Sequence, residues 1–297
     1  MINVRKAVKT FGGKRALDGL DINVNKGSIY GLVGTNGAGK TTVIKCITGI
    51  QKPDSGHILL DGKSVFENPE VKGRIGYVSD EMYYMPGSTM KDMADYQEGI
   101  YSGWSRERYG ELIEEFGIDQ KVRLSAFSKG MQKQASLILT LSVMPDWLIL
   151  DELIDGLDPV MRLKAWKAII DDVAERETTV LLSSHNLREM EGYCDHIGII
   201  SDGRMVIERD LEDLKTDVHK VQVAFPGGGE CELDRLNICK REQRGSVELM
   251  IVKDSKEKIE KIIGAAQPVL FDILPLTLEE IFIYELGGND DEIKKIV

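Results

Sequence analysis

A glycine-rich loop between a predicted strand and a predicted helix constrains the fold of this chain more than any other feature. The loop has the pattern Gly34-x-x-x-x-Gly39-Lys40-Thr41 and follows a short apolar run at residues 28–33. Apolar residues then recur at helical spacing: Val43, Ile44, Ile47 and Ile50. Glycines in such a loop let backbone N–H groups surround a polyphosphate, and the helix N-terminus adds its dipole. The alternative is a glycine-rich turn without function, but the flanking strand and helix favour nucleotide binding.

The loop also predicts individual contacts. We expect Lys40 to reach the β and γ phosphates and the Thr41 hydroxyl to ligate Mg²⁺. The other loop residues expected to contact the nucleotide are Gly34, Thr35, Asn36, Gly37, Ala38, Gly39 and Thr42.

Two adjacent carboxylates, Asp151 and Glu152, end a second apolar segment, "WLIL". In phosphate-loop proteins an acid at the end of a parallel strand commonly holds Mg²⁺. A neighbouring carboxylate can act as the base that polarises the attacking water. We therefore predict Asp151 at the metal and Glu152 as the catalytic residue. The alternative is that the strand ends there and both acids face water.

Composition limits the remaining possibilities. The chain has 297 residues, 42% hydrophobic and 29% charged, which suits one large domain and a small one. We found no apolar run of the roughly 20 residues that span a bilayer, and no signal-peptide core, so we expect a cytoplasmic location. The net charge of -11 disfavours nucleic acid as a partner. The four cysteines lack metal-site spacing and are expected to be buried free thiols: Cys46, Cys194, Cys231 and Cys239.

Further motifs follow the loop in a recognisable order. "FSKGMQ" precedes the acidic strand, "GLDP" follows it, and His185 comes directly after a β-branched strand. This order and spacing, over roughly residues 2–211, resemble the nucleotide-binding subunits of ABC transporters. The resemblance implies an α/β fold: a P-loop NTPase core with an antiparallel β subdomain and a helical signature subdomain at about residues 88–135.

The resemblance also implies roles for residues outside the loop. The family binds ATP at a dimer interface, so Ser128 and Gly130 are expected to contact the γ phosphate of the partner's nucleotide. His185 is expected to bind the γ phosphate and help to position Glu152, and Asp158 to act across the interface. Phe11 stands where the family places an aromatic ring on adenine; the alternative is an ordinary core phenylalanine.

Two positions depart from the family pattern. After the predicted strand "IGYV", Asp80 stands where the family usually has a glutamine that ligates Mg²⁺. We expect Asp80 to take that role in altered geometry, with Glu81 as a possible substitute. Leu153 replaces the proline that commonly follows the acidic pair, which should loosen this loop slightly.

Residues 82–87 and the C-terminal part of the chain give further indications of partners and domains. The aromatic segment "MYYMPG", residues 82–87, lies where the family meets its permease, with core packing as the alternative. We assign residues 1–215 to the ATPase domain and 216–297 to a small C-terminal α+β domain. A charged linker helix is predicted at 210–220, a hairpin around Arg244, and a closing helix at "TLEEIFIYELG". That ending resembles the tail of ATPases that serve ABC-2-type exporters.

The resemblance thus implies an Mg²⁺-dependent ATPase subunit that works as a homodimer or heterodimer. It would lie on the inner face of the cell membrane through a separate permease and drive export. One alternative is a soluble ABC-type ATPase that acts on DNA or ribosomes. Another is an ATP-gated clamp that hardly hydrolyses ATP.

Overall fold

A computed structural model describes residues 1–211, 218–225, 233–274 and 276–280. The chain divides into a compact unit at Met1–Glu208 and a second unit that begins at Arg209. In the described ranges no helix is long and apolar enough to cross a membrane.

A six-stranded sheet forms the centre of the first unit. Its strands are β3 (Ile29–Val33), β6 (Ile75–Val78), β7 (Trp147–Asp151), β8 (Thr179–Ser184), β9 (His196–Ser201) and β10 (Arg204–Asp210). They lie in the order β10-β9-β3-β8-β7-β6, and the pairs from β9 to β6 are parallel. Every residue of β3 and β7 is buried, as expected for central strands of a parallel sheet. The carboxyl ends of β3, β7 and β8 therefore meet at one edge.

An antiparallel sheet packs on the same core. It contains β1 (Ile2–Phe11), β2 (Lys14–Val24), β4 (Ser55–Leu60) and the short β5 (Lys63–Ser64), in the order β2-β1-β4-β5. Its apolar face shares a hydrophobic core with helix α1 (Lys40–Ile47) and β7, built from residues such as Leu20, Ile44 and Trp147. The predicted α/β core with an antiparallel subdomain is confirmed.

Helices form the third part of this unit. A short helix, α2 (Pro69–Lys72), precedes β6, and then come α3 (Met90–Ile100), α4 (Arg106–Phe116) and α5 (Lys129–Ser142). Helix α6 (Pro159–Arg176) follows β7. Thr89 caps α3 in a capping box with Asp92, and Ser105 and Ser128 cap α4 and α5 through their hydroxyls. Local cap chemistry thus sets where each of these helices begins.

The second unit is a small α+β body. Its sheet has the order β12-β13-β11-β14, from β11 (His219–Ala224), β12 (Ile238–Arg244), β13 (Val247–Val252) and β14 (Leu270–Leu274). Helix α7 (Lys256–Ala265) contributes Ile259 and Ile263 to an apolar core with the sheet. The predicted hairpin is confirmed by the β12–β13 pairing.

Two helices predicted in the C-terminal part of the chain have different outcomes. The linker helix predicted at 210–220 is wrong at its ends, where Asp210 closes β10 and His219 opens β11; residues 212–217 lie outside the described part. The closing helix begins as predicted, with a capping box between Thr277 and Glu280, but residues 281–297 are not described.

The prediction that the cysteines are buried free thiols is confirmed for two of them and wrong for a third. Cys46 and Cys194 are buried free thiols, as predicted, and burial raises the pKa of Cys46 to about 11. The prediction is wrong for Cys239, which is exposed because it lies on a strand, β12, that is exposed along most of its length. Cys231 lies outside the described residues.

Candidate nucleotide site

The glycine loop connects the carboxyl end of β3 to α1, at the edge of the parallel sheet. Gly39 has φ 117°, and a Cβ there would lie 2.7 Å from the backbone oxygen of Ala16. A Cβ at Gly34 would lie 2.4 Å from the backbone oxygen of Ile200. Only glycine fits at either position, since both clashes are with backbone atoms. The loop therefore packs closely against the backbones of β2 and β9, which restricts its conformation.

Lys40 opens α1 and points back across the loop. Its Nζ donates to the backbone oxygens of Gly34 (2.6 Å) and Thr35 (3.3 Å) and lies 3.2 Å from Glu152 Oε1. The side chain is 4% exposed. A cavity of about 350 Å³ opens beside it, and its lining includes six of the predicted loop contacts: Asn36, Gly37, Gly39, Lys40, Thr41 and Thr42. Ala16, Asp80 and Glu152 complete the lining.

Asp151 ends β7 in a fully buried position. Its Oδ1 accepts a hydrogen bond from the Ser183 hydroxyl (2.6 Å), which β8 places opposite it in register. Burial raises the pKa of Asp151, while hydrogen bonds from Ser183 and Thr41 oppose the rise. Oδ2, however, has no partner of good hydrogen-bond geometry among the described residues. A buried carboxylate oxygen left in this state fits a cation, because an unpaired buried charge is costly.

The predicted metal ligands share one cavity. Thr41, Asp80 and Asp151 all line a second space of about 390 Å³ next to the loop. Carboxylate and hydroxyl oxygens are the donors that Mg²⁺ prefers. The donor set therefore fits the metal expected from the sequence. The alternative in which Asp151 simply faces water does not hold, since its side chain is buried.

Glu152 turns its carboxylate towards Lys40 through an unusual backbone. Its φ is 48°, in the left-handed region that non-glycine residues rarely adopt. Its N–H donates to the backbone oxygen (3.2 Å) and hydroxyl (3.1 Å) of Ser183, and its C=O accepts from Lys133 Nζ (2.5 Å). The side chain is 21% exposed, so a water can reach the carboxylate.

His185 follows β8 and lies beside Glu152. Its Nδ1 is 2.8 Å from Asp155 Oδ2 and 3.9 Å from Glu152 Oε2. Asp155 also accepts from the Ser184 hydroxyl (2.5 Å) and from the His185 N–H (3.3 Å), and its side chain is only 8% exposed. The Asp155 carboxylate is a suitable acceptor for a proton on Nδ1 of His185. Asp155 thus orients the imidazole ring, as second-layer carboxylates do for catalytic histidines.

Comparisons with known proteins agree with this geometry. The sequence profile of the ABC transporter family matches residues 17–155. The ABC transporter ATP-binding protein YtrB of Bacillus subtilis (strain 168) is 33% identical over 289 residues, covering 97% of this chain and 99% of the relative. This chain belongs to the ATP-binding subunits of ABC transporters.

A further relative and a solved structure are also similar to this chain. The daunorubicin/doxorubicin resistance ATP-binding protein DrrA of Streptomyces peucetius is 36% identical over 217 residues, covering 71% of this chain and 66% of the relative. A solved ATP-binding subunit of an ABC transporter is 26% identical with a TM-score of 0.67, covering 72% of this chain and 92% of that structure. The protein is thus an ABC ATPase.

The remaining predicted residues of this ABC ATPase lie apart from the loop. Ser128 caps α5 by accepting from the Met131 N–H (3.2 Å), and neither Ser128 nor Gly130 lines the two cavities. Asp158 caps α6 by accepting from the N–H groups of Val160 and Met161 (both 3.1 Å). Both caps are exposed at helix N-termini.

Phe11 and Asp80 are exposed as well. Phe11 is 47% exposed at the end of β1, with Lys9 Nζ 5.5 Å from its ring centroid, so it is not a core residue. Asp80 is half exposed, 3.7 Å from Lys133 Nζ. Sequence reasoning missed Asp155, Ser183 and Lys133. An acid in the turn after Glu152 was the one available signal for Asp155.

Proposed function

We propose that this subunit hydrolyses ATP with Glu152 as the general base, at a site completed by a second ATPase subunit, and thereby drives export through a separate membrane permease. The observation that carries the proposal is the meeting of Lys40 and Glu152 at the cavity beside the glycine loop. Asp151 lines the second cavity, which shares Thr41 and Asp80 with the first, and His185 Nδ1 lies 3.9 Å from Glu152 Oε2. A base, a phosphate-binding cation and an imidazole donor there meet the needs of γ-phosphate transfer to water.

Each predicted residue has a place in this proposal. Lys40 and the loop N–H groups hold the phosphates of ATP. Without nucleotide, the Lys40 ammonium group pairs with the Glu152 carboxylate instead. Thr41, Asp80 and Asp151 would hold Mg²⁺, which supplies charge neutralisation between the phosphates. Once the phosphates take over Lys40, the Glu152 carboxylate is released to accept a proton from water. His185, oriented by Asp155, lies beside Glu152 and would reach the γ phosphate.

A second subunit is needed because the signature residues lie outside the cavity. Ser128 and Gly130 lie at the exposed start of α5, where a helix N-terminus favours an anion. A partner's γ phosphate would meet both the dipole and the serine hydroxyl. Asp158, exposed at the start of α6, is placed to act across the same interface, and exposed Phe11 to cover the adenine.

The exposed segment 82–87 supports a permease contact. Tyr83 is 83% exposed and Met85 38% exposed, while Tyr84 anchors the segment by donating to the Gln132 backbone oxygen (2.6 Å). Large apolar side chains held in the open suit a partner surface, so core packing does not explain Tyr83. This permease would hold the subunit at the membrane as a peripheral protein. Residues 216–297 would form an accessory domain of the same assembly. The relative named for drug resistance supports export as the direction.

The proposal is tested by mixing two inactive variants. Lys40→Ala removes the phosphate cation, and Gly130→Asp places a negative charge at the signature. A Cβ at Gly130 meets only the Gly156 oxygen at 3.4 Å, so this variant should fold. If two chains build one site, each variant alone is inactive and a mixture regains up to about a quarter of the wild-type rate, since half of randomly paired dimers hold one complete site of two.

Other outcomes would favour the alternatives. A wild-type protein that dimerises in ATP without Mg²⁺-dependent hydrolysis would be a clamp. A mixture as inactive as its parents would contradict the shared site. Fully active protein that never associates with a membrane permease would favour a soluble ABC-type ATPase.

A further inference from the structure

Lys133, on the second turn of α5, contacts three residues of the nucleotide site that are far apart in the sequence from α5 or from one another: Asp80, Glu152 and Gly156. Its Nζ donates to the backbone oxygen of Glu152 (2.5 Å) and lies 3.7 Å from Asp80 Oδ1. A Cβ at Gly156 would meet Nζ at 2.8 Å, so the lysine runs closely over that glycine. The side chain is 12% exposed. Lys133 is therefore held in one place beside the catalytic carboxylate.

The backbone of Glu152 depends on both of its neighbours. Its left-handed φ of 48° turns its C=O towards Lys133. Proline disfavours α conformations in the residue before it, so the usual proline at position 153 would disfavour this geometry. Leu153 has no ring to clash with the preceding residue and so removes this restriction. The departure at Leu153 thus has a structural consequence, and Lys133 is the side-chain donor that satisfies the turned carbonyl.

The departure at Asp80 leads to the same lysine. Asp80 adds a third carboxylate to a site that already holds Asp151 and Glu152, where a neutral amide would add no charge. Like charges that line the same cavities repel one another in a partly buried site. The cation of Lys133 lies between Asp80 and the Glu152 backbone and offsets that charge.

We propose that Lys133 is a positioning residue of this ATPase, which fixes the backbone of Glu152 and serves as the counter-ion of Asp80. The residues at 80, 133 and 153 then form one adaptation rather than two isolated departures. Because Lys133 and the signature residue Ser128 share helix α5, a shift of that helix also moves the contact that fixes Glu152. The proposal rests on the proposed role of Glu152.

Lys133→Met tests the positioning role, because methionine keeps the length of the side chain and removes the cation. The matched control is Lys164→Met, which removes another part-buried lysine that donates to a backbone oxygen, here Glu115 (2.6 Å), between α6 and α4. We expect Lys133→Met to lower kcat roughly 10- to 100-fold, as loss of a charge-assisted hydrogen bond would. KM for ATP should change by less than about threefold, and Lys164→Met should leave both constants unchanged.

A second measurement tests the pairing with Asp80. Mn²⁺ binding in the presence of a non-hydrolysable ATP analogue is followed by electron paramagnetic resonance. Lys133→Met should tighten Mn²⁺ binding about two- to fivefold, since Asp80 no longer shares its charge with a lysine. In an Asp80→Asn background the same change should have no effect on Mn²⁺ affinity. If Lys133 were purely structural, its replacement by methionine would not tighten Mn²⁺ binding.

The outcomes separate the inference from the function on which it depends. The inference is overturned if Lys133→Met keeps kcat within twofold of wild type while Glu152→Gln is inactive. It is also overturned if Mn²⁺ affinity changes equally with and without Asp80. If Glu152→Gln itself retains the wild-type rate, the proposed function fails instead.

Discussion

Replacing Asp155 by asparagine should slow hydrolysis while leaving ATP binding intact. Asp155 Oδ2 lies 2.8 Å from His185 Nδ1, and the Asp155 side chain is only 8% exposed. The asparagine keeps the shape of the carboxylate and its hydrogen bond from Ser184, but it loses the charge that fixes the ring. A hydrogen bond to a charged group contributes about 1.5–3 kcal/mol, which corresponds to roughly 10- to 150-fold in rate.

Two assays check this expectation. Steady-state ATPase measurements should show a lower kcat with KM for ATP changed by less than about threefold. Nitrogen-15 NMR of labelled histidine should show His185 with its proton on Nδ1 in the wild type and a mixture of tautomers in the variant. Asp171→Asn on the exposed part of α6 serves as the control. A variant that keeps wild-type kcat, or a wild-type His185 with its proton on Nε2 alone, would refute the reasoning.

Two further substitutions test other parts of the structure. Gly39→Ala should abolish ATP binding in equilibrium titrations, because its Cβ would lie 2.7 Å from the Ala16 oxygen and φ 117° adds strain of about 1–3 kcal/mol; binding at wild-type affinity would contradict the rigid loop. Tyr83→Ser should leave the melting temperature and the ATPase rate of the isolated subunit unchanged, since the ring is 83% exposed. It should reduce copurification with the permease, and undiminished copurification would remove this segment from the partner surface.

The sequence predicts best what short segments determine. The glycine loop, the strand before it and the helix after it follow from one pattern of residues. The acids at 151 and 152 follow from a buried strand that ends in polar residues. These predictions depend on local sequence and on the parallel order of the strands, which places loop and acids at one edge of the sheet.

What the sequence could not predict depends on contacts between distant segments. Lys133 meets Asp80 only because α5 packs beside the loop that follows β6, and Asp155 meets His185 only because β7 and β8 end side by side. The sequence predicts only a slight loosening of the loop at Leu153. In the structure Leu153 permits a left-handed residue at Glu152, which spacing alone could not indicate.

The most direct test of the account is the Mg²⁺-dependent rate of phosphate release from ATP by the wild-type protein and by Glu152→Gln. The glutamine keeps the size of the side chain but cannot accept a proton from water. We expect the wild type to hydrolyse ATP only when Mg²⁺ is present, and the variant to be slower by about 100-fold or more while still binding ATP. Equal rates for the two proteins would contradict the assignment of Glu152 as the base.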